Sequence, residues 1–271
     1  MGAGLAKTAR ERLGPMAAVP DRDAAGTVGN PGQARQNRDG AGSTSPDGER
    51  SLLGVLLALT LLSGLIDGVC YLGLGRVFTA NMTGNIVILG FAAAGAPGFS
   101  VTACLTSLGL FLAGAVSGGQ LRSRVTRRSR LLVTAVTLEA AFVAAAAVVA
   151  FTAATVATGW ARYATIALLA FAMGIRNAVI RGLSIPDMTT TVLTMTLTGL
   201  AADSALAGGS SPHAARRVTS VLAMLAGAAV GAWLYLHHGA GPPLAVAAGA
   251  AAVTAVAAFA SPGVRAYLDR K

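Results

Sequence analysis

Long apolar stretches alternate with short polar breaks over residues 51–262, and this alternation is the strongest pattern in the chain. A window of about 19 residues repeatedly finds stretches long enough to cross about 30 Å of hydrocarbon as helices. The pattern predicts eight apolar segments in two sets of four: A (51–75), B (78–95), C (99–120), D (131–158), A′ (161–182), B′ (187–208), C′ (216–237) and D′ (242–260). We therefore expect an all-α fold, that of a polytopic helical membrane protein.

The positions of the arginines indicate how many segments cross the membrane. If all eight crossed and the N-terminus were cytoplasmic, the loop between C and D, with five arginines from position 122 to 130, would lie outside. Cytoplasmic loops normally carry the excess of Lys and Arg. This rule is obeyed when B and B′, which are also the most polar segments, enter and leave on one side or lie as short embedded helices. We therefore expect about six transmembrane helices plus two short embedded helices, with both termini cytoplasmic.

Local matches indicate an internal duplication. Leu-Ala-Gly-Ala occurs at 112–115 and again at 225–228, and each copy opens a G-x-x-x-G pair, Gly114/Gly118 and Gly227/Gly231. Three crossings per half is an odd number, so the second half would enter the membrane upside down. The transmembrane domain (51–262) is thus predicted to contain two inverted three-helix repeats, 51–158 and 161–260. The glycine pairs favour close helix packing, either within one chain or in a homo-oligomer.

The composition changes sharply before residue 51. Residues 1–50 contain nine Gly, four Pro and no aromatic side chain, which predicts a disordered cytoplasmic tail. We expect residues 263–271 to form a short cytoplasmic C-terminal tail. The chain is 54% hydrophobic and 12% charged, with a net charge of +10. Its basic residues fall between apolar runs instead of on one soluble face, so the expected partner is the lipid bilayer of the plasma membrane and not nucleic acid.

Transporters with inverted repeats bind solutes near the bilayer midplane, at short segments in matching positions of the two halves. B and B′ are those segments here, and their helix N-termini would favour an anion or a carbonyl group. In B, Thr79 with Thr83 and Asn81 with Asn85 have the i, i+4 spacing of one helix face. The candidate solute-binding residues are Asp67, Tyr71, Thr79, Asn81, Thr83, Asn85, Asn177, Thr190 and Thr194. Alternatively, these side chains only hydrogen-bond neighbouring helices.

Acidic residues are rare in the apolar body, and those between 51 and 262 are Asp67, Glu139, Asp187 and Asp203. A carboxylate within the bilayer costs about 3 kcal/mol on insertion scales, so each is a functional candidate. Glu139, Asp203 and Arg176 are the candidates for coupling or gating. Each of these residues also has a structural alternative. Glu139 could form an ion pair with a basic residue of a neighbouring helix, and Asp67 could pair with Arg76. Arg176 could pair with Asp187 or Asp203, or Asp187 could simply cap the N-terminus of B′.

Known catalytic patterns are missing from the sequence. It contains no P-loop, no G-x-S-x-G elbow and no His, Cys or carboxylate spacing typical of a metal site. We therefore expect no enzymatic activity, no metal and no cofactor.

Several runs resemble a known family. They are Gly64-x-x-Asp67-Gly-x-x-Tyr71 and Phe78-Thr-Ala-Asn-Met-Thr-Gly-Asn85 in the first half, and Ala172-Met-Gly-Ile-Arg-Asn-Ala178 with Thr189-Thr-Thr-Val-Leu-Thr194 in the second. Over about residues 51–262 the chain resembles the YoaK family of membrane proteins, which is catalogued as a domain of unknown function (number 1275). The resemblance implies a polytopic, largely bacterial plasma-membrane protein with no established substrate. We expect a secondary transporter or channel for a small solute; the alternative is a non-transporting scaffold or sensor.

Overall fold

Every secondary-structure element in the described part of the chain is an α-helix. The computed structural model describes residues 46–153, 155–183, 193–204, 207–209 and 214–270. In these ranges the helices are α1 (Pro46–Gly73), α2 (Met82–Ala93), α3 (Val101–Arg124), α4 (Arg128–Thr152), α5 (Gly159–Gly182), α6 (Leu193–Ala202), α7 (Ala214–His238), α8 (Gly241–Ala260) and α9 (Pro262–Asp269).

Six of these helices are long and apolar enough to cross a membrane: α1, α3, α4, α5, α7 and α8. The helices α2 and α6 have 12 and 10 residues. At 1.5 Å per residue they are about 18 and 15 Å long, which is too short for about 30 Å of hydrocarbon. The predicted class, a polytopic helical membrane protein with about six helices long enough to span a membrane, is confirmed.

The first short helix begins later than the sequence pattern predicts. Segment B was expected to start at residue 78, but α2 starts at Met82 and residues 74–81 are not helical. The chain turns at Gly75 and Arg76, whose φ angles of 91° and 59° cannot continue a helix. The predicted helical stripe from Thr79 to Thr83 is therefore wrong. In B′, α6 is described over 193–202, and the predicted start of that segment lies outside the described residues.

Glycines allow α3 and α5 to pack with their backbones in contact. A Cβ added at Gly114 would meet the carbonyl oxygen of Phe171, and one at Gly118 would lie 2.7 Å from the carbonyl oxygen of Ile175. The contact is reciprocal, because a Cβ at Gly174 would meet backbone atoms of α3. Small residues permit this close approach between membrane helices.

The pair α1 and α7 repeats the same contacts. A Cβ at Gly227 would meet the carbonyl oxygen of Leu61, and one at Gly64 would meet that of Met224. Gly64 precedes Gly174 by 110 positions, as Leu61 precedes Phe171. Both predicted glycine pairs are thus covered within one chain, so the predicted oligomer would have to use another surface.

Four helices form the centre of the described bundle. α4 packs against α5 and α8, and α1 packs against α8. α3 and α7 lie outside them and expose large apolar side chains, such as Leu112 (62% exposed) and Leu225 (65% exposed). These surfaces suit contact with lipid chains.

The C-terminal helix α9 is fixed to the start of α4. The carboxylate of Asp269 accepts hydrogen bonds from the backbone N–H and the hydroxyl of Ser129, at 3.0 and 2.8 Å. Val264 and Leu268 are buried beneath it. Most of the range expected to be a tail (263–271) is therefore a docked helix, and the carboxylate occupies an N-terminal turn that favours negative charge.

Candidate functional site

The carboxylate of Asp67 holds the non-helical residues 74–81 against α1. Its Oδ1 accepts hydrogen bonds from the backbone N–H of Thr79 (2.7 Å) and of Ala80 (2.9 Å) and from the Thr79 hydroxyl (3.2 Å). Its Oδ2 accepts a bond from the Asn81 side-chain amide at 2.7 Å. Asp67 and Thr79 are 3% and 0% exposed, so this cluster is closed to solvent.

Asn85 holds the other side of the same loop. Its Oδ1 accepts a bond from the backbone N–H of Phe78 (2.8 Å), and its Nδ2 donates to the carbonyl oxygen of Phe78 (2.6 Å) and to the Ser107 hydroxyl (3.0 Å). Ser107 in turn donates to the carbonyl of Phe78 at 2.6 Å. The Asn85 amide thus pairs with the loop backbone as a neighbouring β-strand would.

These bonds explain how a non-helical loop is tolerated at this depth. Asp67 lies six residues before the end of α1, and Ser107 lies six residues after the start of α3. At 1.5 Å per residue the loop therefore reaches about 9 Å below the ends of both helices. Non-helical backbone inside a membrane must have its polar groups satisfied by protein. The loop (74–81) is re-entrant, and the partners of its backbone come from the three helices around it, as Asp67 of α1, Asn85 of α2 and Ser107 of α3.

The partner predicted for Asp67 was wrong. Asp67 binds loop donors, whereas the Arg76 guanidinium lies over the Phe99 ring, 5.2 Å from its centroid. The loop N–H groups of Thr79 and Ala80 are already bound by a carboxylate of the protein itself, which lowers their value as a site for an external anion.

A second polar cluster lies in the middle of the bundle. Glu139 on α4 and Arg176 on α5 form an ion pair with 2.7 Å between Oε1 and Nη1, and both side chains are 0% exposed. Arg176 also donates to two groups of α1, the Ser63 hydroxyl (2.6 Å) and the Leu59 carbonyl oxygen (3.3 Å). The Arg176 side chain therefore joins three helices at one point.

This central pair is incompletely hydrogen-bonded within the described ranges. Neither Glu139 Oε2 nor Arg176 Nε has a hydrogen-bond partner among the residues that the structure describes. Glu139 lies 11 residues into α4, about 16 Å from its start, which is close to the middle of a bilayer-spanning helix. A buried pair of this kind is weak evidence for stability, because removal of both ions from water costs several kcal/mol per ion.

The ion-pair predictions are corrected by these contacts. Arg176 was expected to pair with Asp187 or Asp203, but it pairs with Glu139. Asp203 pairs with Arg217, at 2.6 Å, near the start of α7. The alternative that Glu139 pairs with a basic residue of a neighbouring helix is confirmed. Asp187 lies outside the described residues.

The remaining predicted residues are scattered. Tyr71 stacks on Phe78 with 5.1 Å between ring centroids, while Thr83 and Thr194 are exposed. Asn177 is partly buried beside Arg176 on α5, and Thr190 lies outside the described residues. The structure thus brings Asp67, Thr79 and Asn81 into one cluster, and the Glu139–Arg176 pair is a separate cluster.

Two participants were missed by the sequence analysis. Ser63 and Ser107 complete the central and the loop cluster, respectively, but single serines in apolar helices carry no pattern that distinguishes them. Within the described ranges, no three His, Cys, Asp or Glu side chains are close enough to hold a metal ion.

These features define a multi-pass helical membrane protein with a re-entrant loop on one side and a charged cluster in its centre. Residues 55–257 match the family model described as "Protein of unknown function (DUF1275)". The chain belongs to this family, as the resemblance to the YoaK family indicated. It is similar to the UPF0700 transmembrane protein YoaK of Bacillus subtilis (strain 168), with 35% identity over 151 residues, which are 55% of this chain and 65% of that protein. No solved structure matches the chain.

Proposed function

We propose that this protein is a secondary transporter or channel for a small solute in the plasma membrane, with both termini cytoplasmic. The observation that carries the proposal is the fully buried Glu139–Arg176 pair at mid-depth. Charged residues inside membrane bundles are costly and usually mark substrate or ion pathways. Here the pair joins three helices, so a change in its charge can alter how those helices pack.

The duplicated helix packing supports this proposal. The contacts of α3 with α5 and of α7 with α1 use equivalent glycines and equivalent carbonyl groups in the two halves. Such correspondence is expected for inverted repeats, which occur in many transporter folds and rock against each other around a central site. The axis relating the halves would pass near the centre of the bundle, where Arg176 of α5 reaches Ser63 of α1.

We infer a small anion as the solute class. A guanidinium is a planar, permanently charged donor that binds carboxylates and phosphates well. Arg176 is held by one carboxylate oxygen of Glu139, and neutralisation of Glu139 by a proton would leave the guanidinium for an anionic solute. In this scheme Glu139 and Arg176 form the coupling centre, and the Asp67 cluster only positions the loop.

The test replaces both members of the pair in purified protein. Exchange of a buried ion pair for apolar residues is often neutral or stabilising, so Glu139→Met with Arg176→Met is expected to fold. In proteoliposomes loaded with a pH-sensitive dye, the unmodified protein should move at least one anion of a panel of lactate, succinate, phosphate, sulfate and chloride. The folded double variant should move none, and Thr83→Ala, an exposed change, should leave the flux intact.

The second candidate function is a non-transporting membrane scaffold or sensor. It is favoured by one observation: Asp67, Thr79, Asn81 and Asn85 bind one another and the loop backbone. On this hypothesis no anion of the panel moves with any variant, and substitutions in the loop cluster lower stability alone. Flux that survives the double methionine variant would assign transport to a different site.

A further inference from the structure

A basic groove of about 570 Å³ lies at the end of the bundle where α4 begins and α8 passes into α9. Arg127, Arg130 and Arg265 line it together with Val133, Phe259 and Asp269. Its volume is in the range of pockets that hold small ligands, about 300–1,000 Å³. Arg130 lies nine residues before Glu139 on α4, about 14 Å along the helix, so the groove is separate from the Glu139–Arg176 centre and the proposed transport does not use it.

The groove has an excess of positive charge within the described ranges. None of the three arginine side chains forms an ion pair or a hydrogen bond with a residue that the structure describes. The one carboxylate in the groove, that of Asp269, is already bound by the Ser129 N–H and hydroxyl. Three guanidinium groups therefore share one open space with a single carboxylate, which leaves the groove with a net charge of about +2.

The wall of the groove is continuous with the lipid-facing surface. Phe259 is 65% exposed, and one turn earlier on α8 Val256 is also 65% exposed. These apolar side chains belong to a transmembrane helix, whereas α9 starts directly afterwards at Pro262. The groove therefore opens where the hydrocarbon region meets the headgroup region of a bilayer.

We propose that this groove binds the headgroup of an anionic phospholipid, with the lipid phosphate between Arg127, Arg130 and Arg265 and an acyl chain along Phe259 and Val256. Basic pockets between membrane helices have the charge that such headgroups require. The apolar wall favours a lipid over a soluble anion, because only a lipid fills both parts of the groove. The docked helix α9 contributes Arg265 and closes one side of the groove. Because Asp269 fixes α9 to the start of α4, it is a positioning residue for the site.

The experiment measures lipid binding to the full chain in detergent, by native mass spectrometry and by thermal shift. Phosphatidylglycerol is the probe, and phosphatidylcholine and inorganic phosphate are the comparison ligands. The test variant is Arg130→Gln with Arg265→Gln. Its matched control is Arg124→Gln with Arg181→Gln, which removes the same charge from exposed positions outside the groove.

We expect the test variant to bind phosphatidylglycerol about 30-fold more weakly than the control, since each arginine near an anionic headgroup contributes about one kcal/mol. Thermal unfolding without lipid should be the same for both, as these side chains have no partner among the described residues. The proposal fails if both double variants lose the lipid equally, if phosphatidylcholine binds as tightly, or if inorganic phosphate alone stabilises the protein as much as the lipid does.

Discussion

Replacing Asp67 with alanine or asparagine tests whether its carboxylate holds the re-entrant loop. Both changes remove the charge, so the cost of burying it cancels when the two variants are compared. Alanine leaves the N–H groups of Thr79 and Ala80 without an acceptor, whereas the amide oxygen of asparagine still accepts both bonds. A buried unsatisfied group costs about 1–3 kcal/mol. Asp67→Asn should therefore be about 2–6 kcal/mol more stable than Asp67→Ala.

The partner amide of Asn81 tolerates the asparagine variant. In the unmodified protein, Nδ2 of Asn81 donates to Oδ2 of Asp67. In Asp67→Asn, a 180° rotation of the Asn81 amide presents its oxygen to the NH₂ group of the new asparagine. Stability is measured as the free energy of unfolding in mixed micelles titrated with SDS. Hydrogen exchange at residues 77–81 reports on the loop itself and should accelerate in Asp67→Ala. Thr83→Ala, at an exposed position, is the control. Equal stability of the two Asp67 variants, with unchanged exchange in the loop, would refute the assignment.

Three further predictions concern packing, the C-terminal helix and topology. Gly64→Ala places a methyl group against the α7 backbone and should lower the free energy of unfolding by about 1–3 kcal/mol or more. The control Gly54→Ala has nothing within 4 Å of the added methyl group, so its free energy of unfolding should stay the same or rise by up to about 1 kcal/mol. Equal effects of the two variants in SDS unfolding would contradict the packing. Asp269→Ala removes the cap on α4, so it should cost about 1 kcal/mol and speed proteolysis of α9; unchanged digestion would argue against the docked helix. Single cysteines at Ala96 and Val125, at opposite ends of α3 in a cysteine-free background, should be labelled from opposite sides of the membrane, and labelling from one side would exclude the topology.

The membrane helices were predictable because their signal is additive. About 20 apolar residues in a row give a large total transfer free energy, so the apolar runs predict the long helices, and the positions of the arginines separate these six from the two short segments. Their ends differ by a few residues from the pattern, as at α4, which runs from Arg128 to Thr152 where 131–158 was expected. The two arginines in its first turn, Arg128 and Arg130, did not affect the prediction of the span itself.

The short segments were less predictable because a few contacts decide them. Segment B was predicted to be helical from residue 78, but Asp67 and Asn85 bind the backbone of residues 78–80, and the helix starts at Met82. Likewise, the partner of Arg176 depends on the rotation of α4 relative to α5, and no residue spacing encodes that angle. Glu139, Arg176 and Asp67 stand out in the sequence as charges within apolar segments, but the partners predicted for Arg176 and Asp67 were wrong.

The two fully buried acids are therefore not equivalent candidates for coupling. Both oxygens of Asp67 are engaged, and two of its four donors are backbone N–H groups, so release of this carboxylate would require the loop to unfold. Glu139 has one ionic partner, and its second oxygen has no partner in the described ranges. A change of charge there breaks one contact and leaves every helix intact. Because a transport cycle needs a group that changes partners reversibly, Glu139 is the better candidate, and Asp67 is better explained as a fixed anchor for the loop.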